Sequence, residues 1–360
     1  MRGVVAGLSA VLVLSACSVA EEGPEPEPPA KLRTTDVSSL RVSGQQEQET
    51  ALSVSLSPDG KTVMSLGRDG RCLRGVDGSY KHCPVKAFEF DIDDPAWSPD
   101  GRMVAITEEY AFGVEPDVWV IDVASGDLTN LTDDGVESDG ISLTSREMPE
   151  GAQVDVSPSW SEDGKRIRFL RRESANSAGV MSVSPAGGEP ERLGTIDTSW
   201  EKLQTVAWAE DSVAWLSGPP DDRGGEVFVA GLSGESRKVL DGEYRVLSFS
   251  SDGNFLLADQ RDADGNPGVG TARVVPARGG DPVPVADGQV TYPGWGPEGH
   301  AIAYVEAPGT LRVVGKPGGT PHDLYQQSDI SARDGVAWVP GRMAVVLDGN
   351  RPVVLAVDGS

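Results

Sequence analysis

Apolar residues in this chain come in short runs of about four to six, bounded by turns rich in Gly, Pro, Ser and Asp. No helical periodicity of useful length appears, so the pattern predicts strands joined by tight reversals. One reversal recurs seven times: Leu56-Ser57-Pro58-Asp59-Gly60, Trp97-Ser98-Pro99-Asp100-Gly101, Trp160-Ser161-Glu162-Asp163-Gly164, Trp208-Ala209-Glu210-Asp211, Phe249-Ser250-Ser251-Asp252-Gly253, Trp295-Gly296-Pro297-Glu298-Gly299 and Trp338-Val339-Pro340-Gly341. The lead residues stand 41, 63, 48, 41, 46 and 43 positions apart. In the second repeat Pro95-Ala96-Trp97 precedes the turn and Met103-Val104-Ala105-Ile106 follows it. Val118-Trp119-Val120-Ile121-Asp122 comes next, then a second turn at Ala124-Ser125-Gly126-Asp127 and a last strand from Leu128 to Leu131. Proline presets φ at the second turn position, while Asp-Gly supplies an accepting side chain and a residue tolerant of positive φ. Second turns recur at Pro185-Ala186-Gly187-Gly188, Leu232-Ser233-Gly234-Glu235, Ala277-Arg278-Gly279-Gly280 and Lys316-Pro317-Gly318-Gly319.

Several short strands in a repeat of about 40–45 residues are the signature of propeller blades. Such blades bury their faces only against neighbours, so the array must close into a ring. The expected fold is an all-β propeller of seven four-stranded blades; six blades is the alternative, should the fourth or seventh repeat be degenerate. Trp97 and its counterparts are expected to wedge between blades as core residues. The seventh repeat supplies Val336–Trp338, Met343–Leu347 and Pro352–Val357 and reaches Asp358-Gly359-Ser360 where other repeats make their second turn. An unpaired edge there would invite aggregation. Residues 37–43, Val37-Ser38-Ser39-Leu40-Arg41-Val42-Ser43, precede the first inner strand and are expected to complete the last blade and latch the ring.

The Trp-Ser-Pro-Asp-Gly turns, each followed by a short apolar strand and later by a Gly-Gly or Ser-Gly turn, resemble the TolB-type (WD-repeat-like) propeller family over residues 52–360. The resemblance implies the fold. It is poor for function, because such blades occur in translocation-associated proteins, peptidase propellers and sensor ectodomains alike.

The start of the chain carries a different signal. Arg2, an apolar run over residues 4–15, and Leu14-Ser15-Ala16 before Cys17 read as a secretory signal with a lipobox-like ending. Residues 1–16 are therefore expected to be a signal peptide, with Cys17 lipidated and the protein exported and membrane-anchored, facing outside the cytoplasm. Residues 17–35, with Glu21, Glu22, Glu25 and Glu27 among Pro24, Pro26, Pro28 and Pro29, read as an extended spacer, and 36–360 as the propeller. The formal charge of −25 repels phosphate backbones and excludes nucleic-acid binding. Besides Cys17 the only cysteines are Cys72 and Cys83, which flank Asp77-Gly78 symmetrically. A hairpin turn there sets them opposite one another, a disulfide pair in an oxidising compartment.

Candidate chemistry is confined to loops. The tight turns of each blade share one end of the ring, and the second-to-third and blade-to-blade connections share the other. On that second face stand Glu108–Pro116 with Tyr110 and Phe112; the insertion from Asp133 to Asp155 with Asp134, Glu137 and Asp139; and Gly218–Gly225 with Asp221, Asp222 and Arg223. Asp262-Ala263-Asp264-Gly265-Asn266 resembles part of a calcium loop but lacks the later bidentate Glu, so the expectation is no cofactor and no metal, with Ca2+ at this loop as the alternative. There is no Gly-x-Ser-x-Gly elbow, and His82, His300 and His322 are scattered through the repeats. The expectation is a non-enzymatic module that binds a protein partner through its loop-rich face. The alternatives are a glycan or small-ligand sensor using the central funnel and a propeller hydrolase, lyase or lactonase.

Overall fold

The structure, a computed structural model, describes residues 30–51, 53–67, 69–85, 95–110, 114–136, 153–219, 224–260, 272–306, 309–327, 330–331, 335–347 and 351–359. They form a seven-bladed propeller of four-stranded antiparallel blades. The first blade, Ser53–Leu56, Thr62–Gly67, Gly70–Gly75 and Lys81–Val85, sets the order for the rest. The weakly matching fourth repeat is a full blade, so the six-blade alternative falls.

Each Ser-x-Asp-Gly turn is closed by its own side chains. Ser57 donates to Asp59 Oδ1 at 2.7 Å, the same oxygen accepts Lys61 N–H at 3.0 Å, and Ser57 Oγ accepts Thr62 N–H at 2.9 Å. Gly60 stands at φ 66°. The pairs Ser98–Asp100, Ser161–Asp163 and Ser250–Asp252 repeat the arrangement. The lead tryptophans do wedge between blades, and their indole N–H groups find fixed acceptors on the preceding inner strand. Trp97 donates to Ser55 Oγ at 2.8 Å, Trp160 to Ala96 O at 2.9 Å, Trp208 to Ser157 O at 2.8 Å and Trp295 to Ser248 O at 3.2 Å. Ser157 and Tyr292, each before a proline at a break in register, hold positive φ of 56° and 55°. The strain turns a carbonyl to the next blade: Ser157 O meets Trp208, and Tyr292 O accepts Val336 N–H at 3.0 Å.

The core lies in seven hydrophobic clusters, one per blade interface, among the described residues. The 3–4 interface, for example, joins Leu170, Val180 and Ile196 to Trp200, Val213 and Trp215. One connection departs from the loop pattern. Arg237–Phe249 is continuous, serving as outer strand of the fourth blade and inner strand of the fifth, and Tyr244 pairs with both Gly225 and Gln260.

The ring is latched by an N-terminal strand, but over Arg41–Glu47 rather than 37–43. Asp36 Oδ1 accepts both the N–H and the hydroxyl of Ser38, and Leu40 N–H bonds Val37 O, so residues 36–40 are held as a turn. That turn buries Val37 and Leu40 in the 6–7 interface, and pairing starts only at Arg41, opposite Asp358. Upstream, Leu32 packs on the 5–6 interface, and Thr35 N–H bonds Gly315 O at 2.9 Å. Arg33 N–H donates to His300 Nδ1 at 2.6 Å, and its guanidinium reaches Asp252 at 3.0 Å. The sixth blade's turn, Gly296-Pro297-Glu298-Gly299, lacks the Ser–Asp pair. This strap holds it instead, with Thr35 Oγ1 donating to Glu298 O at 3.2 Å.

Cys72 and Cys83 form a disulfide, their Cα atoms 4.1 Å apart. Leu73 pairs with His82, and the register shifts between Arg71 and Leu73, so the bridge sits at an irregularity. Gly75 N–H bonds Tyr80 O, which leaves a four-residue loop, Val76–Ser79, closed by Asp77 Oδ1 accepting Ser79 N–H.

Candidate functional site: the loop face of blades two to four

Strand direction sorts the loops. Inner strands run toward the tight turns, so their first residues, and the ends of the second strands, lie at the loop face. Two hairpins are long there. Met103–Tyr110 pairs with Val114–Asp122 in the second blade, and Ile167–Ser174 with Ser177–Val183 in the third. The expected loop Glu108–Pro116 is therefore mostly strand: Glu108 pairs with Asp117 and Tyr110 with Val114. Pro116 is tolerated because it falls at a shift in register, where no ladder donor is required.

The insertion is likewise shorter than 133–155. Asp155 begins the third blade's inner strand, and Val154 and Val156 are core residues. Asp133 Oδ1 accepts Gly135 N–H at 2.9 Å. Asp134 spans the neck of the insertion, with Oδ1 accepting Val136 N–H at 2.8 Å and Oδ2 accepting Gln153 N–H at 2.7 Å. One carboxylate thus ties Val136 to Gln153, the described residues on either side of 137–152.

Beneath that neck is a carboxylate cluster that the loop-based reading passed over. Asp155 is fully buried and takes a bidentate pair from Arg171, Nε to Oδ1 at 2.7 Å and the terminal nitrogen to Oδ2 at 2.6 Å. Burial pushes the Asp155 carboxyl up to about 6 against the pull of Arg171, so the pair is ionised at neutral pH. Arg171 also lies 5.6 Å over the Phe169 ring. Asp117 accepts Asn130 Nδ2 at 2.7 Å and Thr132 Oγ1 at 3.2 Å; burial raises its carboxyl, and Asp134 and Asp133 add to the rise. A charged residue between two valines, Val154-Asp155-Val156, was the available signal. Asp117, Asp134 and Asp155 thus gather around the Arg171 guanidinium, with Asp133 acting on Asp117, an arrangement that projects negative potential from this sector.

Beside it, between the 174–177 reversal and the turn at Trp200–Lys202, lies a cleft of about 560 Å³ lined by Arg172, Glu173, Asn176, Ser199 and Glu201, among others. Glu173 pairs with Arg192 and accepts the Ser177 hydroxyl at 3.3 Å. The three histidines stand apart. His82 lies against Tyr80, His300 under the N-terminal strap, and His322 against Leu40 O at 3.1 Å. Residues 1–16, Cys17, Phe112, Glu137, Asp139, Asp221, Asp222, Arg223, Asp262 and Asp264 lie outside the described residues.

No protein-family profile matches the sequence, and a search among curated proteins returns no match. Solved structures do resemble it. The β-propeller domain of Cps50 (Swd1) from Myceliophteria thermophila is 12% identical, with 88% of this chain and 100% of that one covered and a TM-score of 0.55. A chain of a mitotic checkpoint complex is 13% identical, with 97% and 98% covered and a TM-score of 0.57. TolB from Acinetobacter baumannii is 13% identical over 88% of this chain and 64% of that one, with a TM-score of 0.43. What the first two share with this chain, at such identity, is the propeller fold.

Proposed function

We propose that this protein is an exported propeller, lipid-attached at Cys17, that holds a protein partner on the loop face of its second and third blades. The observation that carries the reading is the asymmetry of the ring's two ends. Repeated Ser-x-Asp-Gly turns close one end, whereas the other carries two long hairpins and an insertion whose two ends are clamped by Asp134. Binding residues concentrate on such loops because a rigid scaffold positions them. The acidic cluster suits a partner with a basic or polar surface, and association should slow as salt rises. That a chain of a multi-protein checkpoint complex has the same fold supports the partner reading. A second reading, a small polar ligand, draws on the cleft beside Glu173 and Glu201.

The test is a crosslinking pull-down from intact cells. Residues 137–152 are replaced by a short Gly-Ser link that keeps Asp134, Gln153 and Asp155. The partner recovered by the parent protein should be lost from the variant while circular dichroism stays the same. An unchanged partner set would move the site off this sector. Cys17→Ser should shift the protein from the membrane to the soluble fraction.

A further inference from the structure

The latch strand and the strap before it have a direction. Arg41 lies opposite Asp358, at the end of the third strand of the seventh blade, which is the tight-turn end; Glu47, opposite Val353, is nearer the loop end. Outer strands of every blade begin at the tight turns, so the chain cannot enter the latch from the loop face. Upstream it stays on the tight-turn side. Thr35 is bonded to Gly315 O and Glu298 O beneath the sixth blade, and Arg33 to His300 Nδ1 and, through its guanidinium, to Asp252 in the fifth blade's turn. His300 is buried beneath this crossing, edge-on to Phe255 and Trp295. These bonds pin the chain at two successive blades, well before it reaches the latch.

We infer that the tether leaves the ring from the tight-turn face, beneath blades five and six, so that this face is turned toward the membrane and the acidic loop face away from it. The inference rests on lipid attachment at Cys17. It assigns the approach of a partner: a soluble or periphery-spanning protein reaches Asp117, Asp134 and the two long hairpins from the side opposite the lipid. A partner embedded in the same bilayer cannot reach them without extending past the ring.

The test places one fluorophore at either end of the third blade, on Lys165→Cys beside the tight turn or Asn176→Cys at the loop face; both positions are exposed, and Cys72 and Cys83 are protected by their disulfide. Full-length lipidated protein is bound to vesicles of phosphatidylethanolamine and phosphatidylglycerol containing a headgroup-nitroxide lipid. Sedimentation with the vesicles is scored first; failure of the parent protein to sediment, or sedimentation that survives Cys17→Ser, counts against lipid attachment itself. In the sedimenting protein, quenching at position 165 should exceed that at 176 at least twofold. Equal quenching at the two positions, or stronger quenching at 176, overturns the orientation.

Discussion

Asp259 and Asp252 sit in the same blade and respond to burial in opposite ways. Asp252 is desolvated, yet Ser250, Asn254 and His300 bond its carboxylate and hold it at about 2. Asp259 is 9% exposed, Oδ1 has no hydrogen-bond partner among the described residues, and burial pushes the carboxyl up to about 7 against only the distant pull of Arg245. The folded state therefore holds the Asp259 proton better than the unfolded chain does. Its stabilising effect is complete below about pH 4 and is lost as pH rises through about 7. Asp259→Asn should melt like the parent at pH 4 and be more stable by about 1–3 kcal/mol at pH 8, read as thermal midpoints across that range. Asp252 works in the other sense, its contribution lost as pH falls from about 4 toward 2. At the blade interfaces, Trp97→Phe keeps the ring but leaves Ser55 Oγ without its indole donor. Denaturant unfolding should register a loss of about 1 kcal/mol, well short of the 3–5 kcal/mol expected of Trp97→Ala.

Among the elements, those built from neighbouring residues were legible in the sequence and those built across the ring were not. Ser57, Asp59 and Gly60 make their bonds within five residues, so the motif carries the whole turn. The latch could be inferred from a missing strand, but its register could not. Gly44-Gln45-Gln46-Glu47 has no alternation to mark it as a strand, and the apolar Val37 and Leu40 within the expected strand serve a packed turn instead. The strap depends on His300 and Asp252, more than two hundred residues away, and nothing local to Arg33 announces them. The clamp at Asp134 was hidden for the same reason, its second partner lying nineteen residues on. Strap and latch should separate in stability. Removing residues 31–35 takes away exposed or part-buried bonds and should lower the melting midpoint by only a few degrees. Removing 31–47 also strips Val37 and Leu40 from the 6–7 interface and bares the edge of Arg351–Asp358, and should abolish the cooperative transition. Similar melting curves for the two truncations would mean that the latch is dispensable.

At the scale of the whole ring, closure is deferred. Arg41 pairs with Asp358, so among the described residues the first strand to be made waits for the last before it has a partner. At about 5–20 residues per second, synthesis of the intervening stretch takes on the order of 15–60 seconds, during which six blades can form but the seventh has no outer strand. Pairing at such separation is also the slowest kind to find, because the loop-closure entropy comes due before any contact rewards it. A chain attached near its N-terminus would hold the latch segment close to the surface where the C-terminal strands emerge, and so raise its local concentration at the moment it is needed. With Cys17 lipidated as proposed, the anchoring end and the closing end of this molecule would be the same few dozen residues, and completion of the ring would take place beside the point of attachment.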